Sequence, residues 1–202
     1  TGEFNVAVGT SALSLNSTGV QNVAIGKQAL KSNAGGEGNT AVGYDSLKNS
    51  TGNYNTGIGR DALINNTSGQ DNTGVGVVAL NNNTTGSQNN AFGVVAGYSN
   101  TTGTGNSSFG HGANYFNASG SENAMFGYRA SGNDNTIVGY RATHANNDAC
   151  VVLGRDATAT ADNQFVVGSL NYNAGSVVAS TATASLVWNV KINGIDRQIL
   201  LA

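Results

Sequence analysis

The side chains able to do chemistry in this chain are few and widely separated. His111 and His144 are its two histidines and Cys150 its one cysteine. Neither histidine has an acidic or cysteine partner at metal-ligand spacing, so no zinc site follows from them. Cys150 falls where neighbouring units of a repeat carry Asn, and it reads as a packing residue rather than a nucleophile. No Ser-His-Asp or paired-carboxylate arrangement assembles along the sequence. No catalytic residue, metal or cofactor is therefore assigned, and the protein is read as not an enzyme. Gly-x-Gly strings such as Gly57-Ile58-Gly59 and Gly103-Thr104-Gly105 could suggest phosphate cradles, but no helix follows them. One surface constellation remains. Tyr128, Tyr140 and Arg155 follow successive repeat glycines, and Arg129, Arg141 and Asp156 come next. Exposed Tyr beside Arg can contact sugars or protein surfaces, which makes Tyr128, Arg129, Tyr140 and Arg141 the candidate receptor-binding residues. A threonine array of the ice-binding kind, begun by Thr40, Thr56 and Thr73, does not persist beyond Thr73 except at Thr136.

What positions these residues is a phrase that returns about every seventeen residues: Asn5-Val6-Ala7-Val8-Gly9, Asn22-Val23-Ala24-Ile25-Gly26, Asn39-Thr40-Ala41-Val42-Gly43, and so on to Asn135-Thr136-Ile137-Val138-Gly139. Two altered copies close at Gly154 and Gly168. A unit this short cannot enclose a core of its own, so units must stack and bury apolar residues against their neighbours. Alternation within the phrase predicts a short strand. The residue before Gly is always apolar (Val8, Ile25, Ile58, Phe92, Phe126) and is expected to point inward. A second element, Thr10-Ser11-Ala12-Leu13 and its copies, is expected to be a second strand, and its Ala/Ser column from Ala12 and Ala29 to Ala142 and Ala157 is expected to face a symmetry axis. Gly-containing turns such as Thr51-Gly52 and Ser68-Gly69 separate the units.

Composition agrees. With 29 Gly, no Pro and 10% charged residues, the chain is unlike an ordinary enzyme domain, yet its apolar residues are too regularly placed for a disordered tract. A net charge of -2 gives no electrostatic footprint for nucleic acid or an anionic membrane surface. No apolar run is long enough for membrane insertion as a helix. A lone cysteine excludes a disulfide framework within one chain. Because the chain begins at Thr1, inside a repeat, it is expected to be part of a longer or processed product. The fold expected is all-β: a parallel β-solenoid of short tandem repeats over residues 1–168, thin enough that self-association, most simply with closed threefold symmetry, must complete its core.

The tandem array exemplified by Asn22-Val23-Ala24-Ile25-Gly26 resembles the head repeat of YadA-type trimeric autotransporter adhesins, with longer spacing. That resemblance implies a trimeric left-handed parallel β-roll. Similar repeats occur in fibre proteins of tailed bacteriophages, and the C-terminal segment favours that variant. The function implied is a trimeric phage tail-fibre segment in the virion, non-catalytic, whose partners are a host-cell surface receptor (glycan or protein) and other virion proteins. The alternative is the head of a bacterial adhesin at the cell surface.

Residues 169–202 leave the repeat. Leu186–Ile192 and Ile195–Leu201 flank Asn193-Gly194, a strong two-residue hairpin signal, and they predict a C-terminal hairpin cap. From Met125 onward the middle strand residue changes from small to large: Met125, Ile137, Val152, Val166. Both strand faces then read as apolar, which places these four residues, with Trp188, Ile192 and Ile199, between subunits of the trimer.

Overall fold

The computed structural model describes residues 2–130, 135–144 and 150–168, together with the backbone of two further strands at 186–192 and 195–201. The repeat phrase forms one three-residue strand per coil: β1 (Val6–Val8), β2 (Val23–Ile25), β3 (Thr40–Val42), β4 (Thr56–Ile58), β5 (Thr73–Val75), β6 (Asn90–Phe92), β7 (Ser107–Phe109), β8 (Ala124–Phe126) and β9 (Thr136–Val138). Short β10 (Thr143–His144) and β12 (Thr158–Ala159) alternate with β11 (Val151–Leu153) and β13 (Phe165–Val167). β1 to β9, β11 and β13 make one parallel eleven-stranded sheet in chain order, so the molecule is a β-solenoid, and no helix occurs among the described residues. Register is strict: Ala24, Ala41, Gly57, Gly74, Ala91, Ser108, Met125, Ile137, Val152 and Val166 stand one above the next.

Two asparagine columns hold the coils together. In the phrase, each Asn side-chain oxygen accepts the backbone N–H of the next coil's Asn: Asn22 Oδ1 from Asn39 N at 2.9 Å, Asn72 Oδ1 from Asn89 N at 3.0 Å. The second column is Asn16, Asn33, Asn66, Asn83, Asn100 and Asn117. Both columns donate to one carbonyl per coil; Gly36 O receives Asn22 Nδ2 at 2.8 Å and Asn33 Nδ2 at 2.9 Å, and Gly86 O receives Asn72 and Asn83 at 2.8 Å each. These amides are buried, and the ladders satisfy backbone groups that a turn-rich coil would otherwise leave unpaired. Glycine at the turn is steric, since a Cβ at Gly69 would run into the Gly86 carbonyl stacked on it.

The inward face of the sheet is the opposite of the one expected. The middle strand residues Ala24, Ala41, Ala91, Met125, Ile137 and Val152 are fully buried, whereas Ile25, Ile58, Phe92 and Phe126 are about two-fifths exposed on the outer face. Small middle residues are required because the opposite wall fills the coil. A Cβ at Gly57 would lie 2.6 Å from Ser46 Oγ and 3.1 Å from Leu47 Cγ, and one at Gly74 would lie 3.3 Å from Leu63 Cδ1. Leu30, Leu47, Leu63 and Leu80 supply this bulk.

The second element also differs from expectation. In the first seven coils it is a run of turns, because the second residue after Gly and the Leu position are both left-handed (Gln28 φ 58, Leu30 φ 50; Val78 φ 53, Leu80 φ 48). An alternation of that kind cannot form a ladder strand. Extended pairing appears only where the coils shorten, as β10 on β12. Its Ala/Ser column faces the coil interior rather than a symmetry axis: Ala29, Ser46, Ala62, Ala79, Ala96, Ala113, Ala130, Ala142 and Ala157 are all fully buried.

At the C-terminus β14 (Leu186–Ile192) pairs antiparallel with β15 (Ile195–Leu201), Trp188 opposite Ile199, Lys191 opposite Asp196 and Ile192 opposite Ile195, the register expected from the sequence. The connecting residues 193 and 194, and the side chains of Trp188, Ile192 and Ile199, lie outside the described residues.

Candidate functional site

Two surfaces stand out, and they adjoin. The first is the outer face of the sheet. Val8, Ile25, Val42, Ile58, Val75, Phe92, Phe109, Phe126, Val138, Leu153 and Val167 form an unbroken apolar column along it. Phe92, Phe109 and Phe126 stack with ring centroids 4.9 Å apart and planes within 5°. Beside them runs a column of Val6, Val23, Thr40, Thr56, Thr73, Asn90, Ser107, Ala124, Thr136, Val151 and Phe165. At ~4.8 Å per strand the apolar column extends for about 50 Å, long for a monomer's exposed patch.

Met125, Ile137 and Val152, expected between subunits, are instead inside the coil, and Val166 packs against the same interior cluster. The reason lies in the opposite wall. The leucine column ends at Leu80 and continues as Gly97 and Asn114, so the larger strand residues replace the missing bulk within the same chain. Any subunit contact made by the sheet must use its outer face, the column before Gly and the column beside it.

The second surface is the corner after the repeat glycine. His111, Tyr128 and Tyr140 stack in succession, with centroids 5.2 Å and 5.0 Å apart, and the Arg155 guanidinium lies 5.0 Å from the Tyr140 ring centre. Tyr128 is 39% and Tyr140 43% exposed. In the adjoining column Arg141 Nε lies 3.5 Å from Asp156 Oδ1 and Arg155 Nε 3.7 Å from Asp156 Oδ2. Arg129, one coil from Arg141, has no carboxylate at ion-pair distance among the described residues. All four candidate receptor-binding residues, Tyr128, Arg129, Tyr140 and Arg141, thus meet at one exposed corner. His111 joins them, although it was legible in sequence only as an isolated histidine.

Cys150 is buried in the first asparagine column; its N–H donates to Asn135 Oδ1 at 2.6 Å and its Sγ to Ala161 O at 3.3 Å. Among the described residues no group of three His, Cys, Asp or Glu side chains converges. Tyr54 donates to the Glu37 carboxylate of the preceding coil, and that hydrogen bond, with the charge behind it, raises the phenol's pKa above its ordinary value. Sequence reasoning missed this pair: Tyr54 stands just before the repeat residue Asn55, and Glu37 two residues before Asn39. No protein-family model and no curated protein matches the chain.

Proposed function

We propose that the chain is a segment of a trimeric phage tail fibre that carries host recognition outward in the virion, a structural and receptor-binding role without catalysis. The observation that carries this reading is the apolar column on the outer sheet face. A column of Val, Ile and Phe left half exposed through eleven strands is accounted for by further copies of the chain lying parallel to it. The interior of one coil, mostly Ala with a single Leu, is too thin to offset the ordering of so many Asn, Gly and Ser. Association through this face adds the missing apolar burial. The resemblance of the repeat to trimeric β-roll heads and phage fibres supports three chains and an attachment role.

The test is the mass in solution by light scattering, expected at three times the 20.4 kDa chain. A monodisperse monomer with the same β content overturns the trimer. Attachment is tested by labelling the protein and measuring its adsorption to bacterial strains in competition with phage, and failure to adsorb to any susceptible strain overturns the recognition role.

A further inference from the structure

We propose that the corner formed by His111, Tyr128, Tyr140 and the three arginines Arg129, Arg141 and Arg155 binds a carboxylated glycan. The proposal rests on the recognition role above and names the chemistry of its ligand.

The ring faces settle what the corner cannot be. A sugar-binding aromatic platform needs a free face. Here Tyr128 is sandwiched between His111 and Tyr140, and Arg155 covers the far side of Tyr140, so the middle rings are already occupied. What they present outward are edges and hydroxyls, a short rank of donors and acceptors with one step per coil.

Charge then selects the ligand. Three of the chain's five arginines lie in this corner. Among the described residues Asp156 lies at ion-pair distance from both Arg141 and Arg155, and Arg129 has no carboxylate at that distance. The backbone ladder holds them in register: Arg129 N donates to His111 O at 3.0 Å, Arg141 N to Tyr128 O at 2.7 Å and Asp156 N to Tyr140 O at 2.9 Å. Like charges one coil apart, at ~4.8 Å, repel each other, and an anion lying across them relieves that repulsion. Guanidinium groups take a carboxylate in a bidentate geometry. Adjacent phenol hydroxyls suit a ligand rich in hydroxyls, which favours an acidic sugar over an acidic polypeptide.

The experiment is calorimetric titration of the full chain with trigalacturonate, its methyl ester, an oligomer of sialic acid and an oligoglutamate peptide, each at low and at physiological salt. At least one acidic sugar is expected to bind, about tenfold or more tighter than the ester and more weakly as salt rises. The double variant R129Q/R141Q is expected to lose about tenfold or more in affinity while keeping the wild-type mass. Y128F/Y140F should lose less, about threefold to tenfold, because only neutral hydrogen bonds go. Failure of both acidic sugars to bind overturns the proposal. So does equal affinity for the ester, equal affinity for oligoglutamate, or unchanged binding by R129Q/R141Q. Loss of trimer mass in R129Q/R141Q would make the corner a subunit contact and overturn it as well. If the wild-type chain is a monomer that still binds the acidic sugar through these arginines, the ligand assignment stands and the trimeric fibre reading falls.

Discussion

The coils up to β5 and those from β8 onward enclose similar interiors built in opposite ways. In the first region the bulk comes from the turn wall, through Leu30, Leu47, Leu63 and Leu80, and the strand wall is trimmed to Ala or Gly. In the second the strand wall carries it, through Met125, Ile137 and Val152, and the turn wall is Ala. The exchange occurs across β6 and β7, where Ala91 faces Gly97 and Ser108 accompanies Asn114. The two buried apolar clusters divide there. In both regions a bulky residue on one wall goes with small residues on the other, as close packing demands. The exchange also frees the chain to shorten its coils, because the turn that carried Leu is no longer needed.

If that account is right, the two walls are coupled. Leu47→Ala alone should cost about 2–5 kcal/mol by opening a cavity, and Gly57→Val alone about 1–3 kcal/mol by overpacking against Leu47 and Ser46. Combined, they imitate the second region and should fall short of the sum by about 1–3 kcal/mol in denaturant unfolding at fixed protein concentration. Additivity within about 0.5 kcal/mol would break the comparison. Met125→Ala, with no leucine opposite to compensate, should cost about 2–5 kcal/mol.

The asparagine columns should separate the regions next. Asn72→Ala leaves Asn89 N–H without its acceptor and takes one of two donors from Asn55 Oδ1, which keeps the backbone N–H of residue 72, with a cost of about 1–3 kcal/mol, while Gly86 O keeps Asn83. Cys150→Ala should cost less, about 1 kcal/mol, because Cys150 N keeps Asn135 Oδ1 and the thiol hydrogen bond to Ala161 O is a weak one. Equal losses for the two, measured by shifts in the unfolding midpoint, would mean that the column matters no more in the first region than in the second.

Period, stacking, the position of the phrase strand and the pairing of the two C-terminal strands were legible in the sequence, because each follows from spacing alone; the turn conformation of the second element, expected as a strand, was not. Nor was the inward face. Alternation says that two faces differ, and hydrophobicity alone turned the larger residues, Ile58 and Phe92, inward. The coil's width decides otherwise, and width is set by a residue on the other wall. The signal was present as a covariation within one chain: the strand residue enlarges where the leucine disappears. Burial of nearly every phrase Asn was equally invisible, since Asn in a Gly-rich sequence reads as a turn former. At the candidate corner, the column positions of Tyr128, Arg129, Tyr140 and Arg141 followed from the repeat, but the stacking that occupies the ring faces needed coordinates.

The seam between the regions offers a substitution expected to improve the protein. Asn114 is buried with both side-chain polar atoms unpaired, where earlier coils place Leu. Its left-handed backbone, φ 55, is one that Leu30 and Leu63 already adopt, and Gly97 beneath it carries no side chain. Asn114→Leu should therefore stabilise the chain by about 1–3 kcal/mol. A fall in the unfolding midpoint would show that the seam is too tight for the leucine wall to continue.

The smallest expected effect tests the second asparagine column inside the first region. Ser50 interrupts it where one coil is a residue short: Asn39 and Asn55 are separated by 16 positions rather than 17. In consequence Gly52 O receives Asn39 alone, at 2.9 Å, while Gly36 O and Gly69 O each receive two amides. Asn33 Oδ1, which the next amide of the column would satisfy, is buried without a partner. Asn66 Nδ2 meets Ser50 Oγ at 3.1 Å, an acceptor that an asparagine side chain also supplies. Ser50→Asn should restore one donor to Asn33 Oδ1 and one to Gly52 O, a net gain of about 1 kcal/mol once the cost of fixing a longer side chain is included. The midpoint of denaturant unfolding should rise with an unchanged slope. A fall would mean that the shortened turn, and not the missing amide, sets the geometry of that coil, and the column would then be continuous only where the spacing is 17.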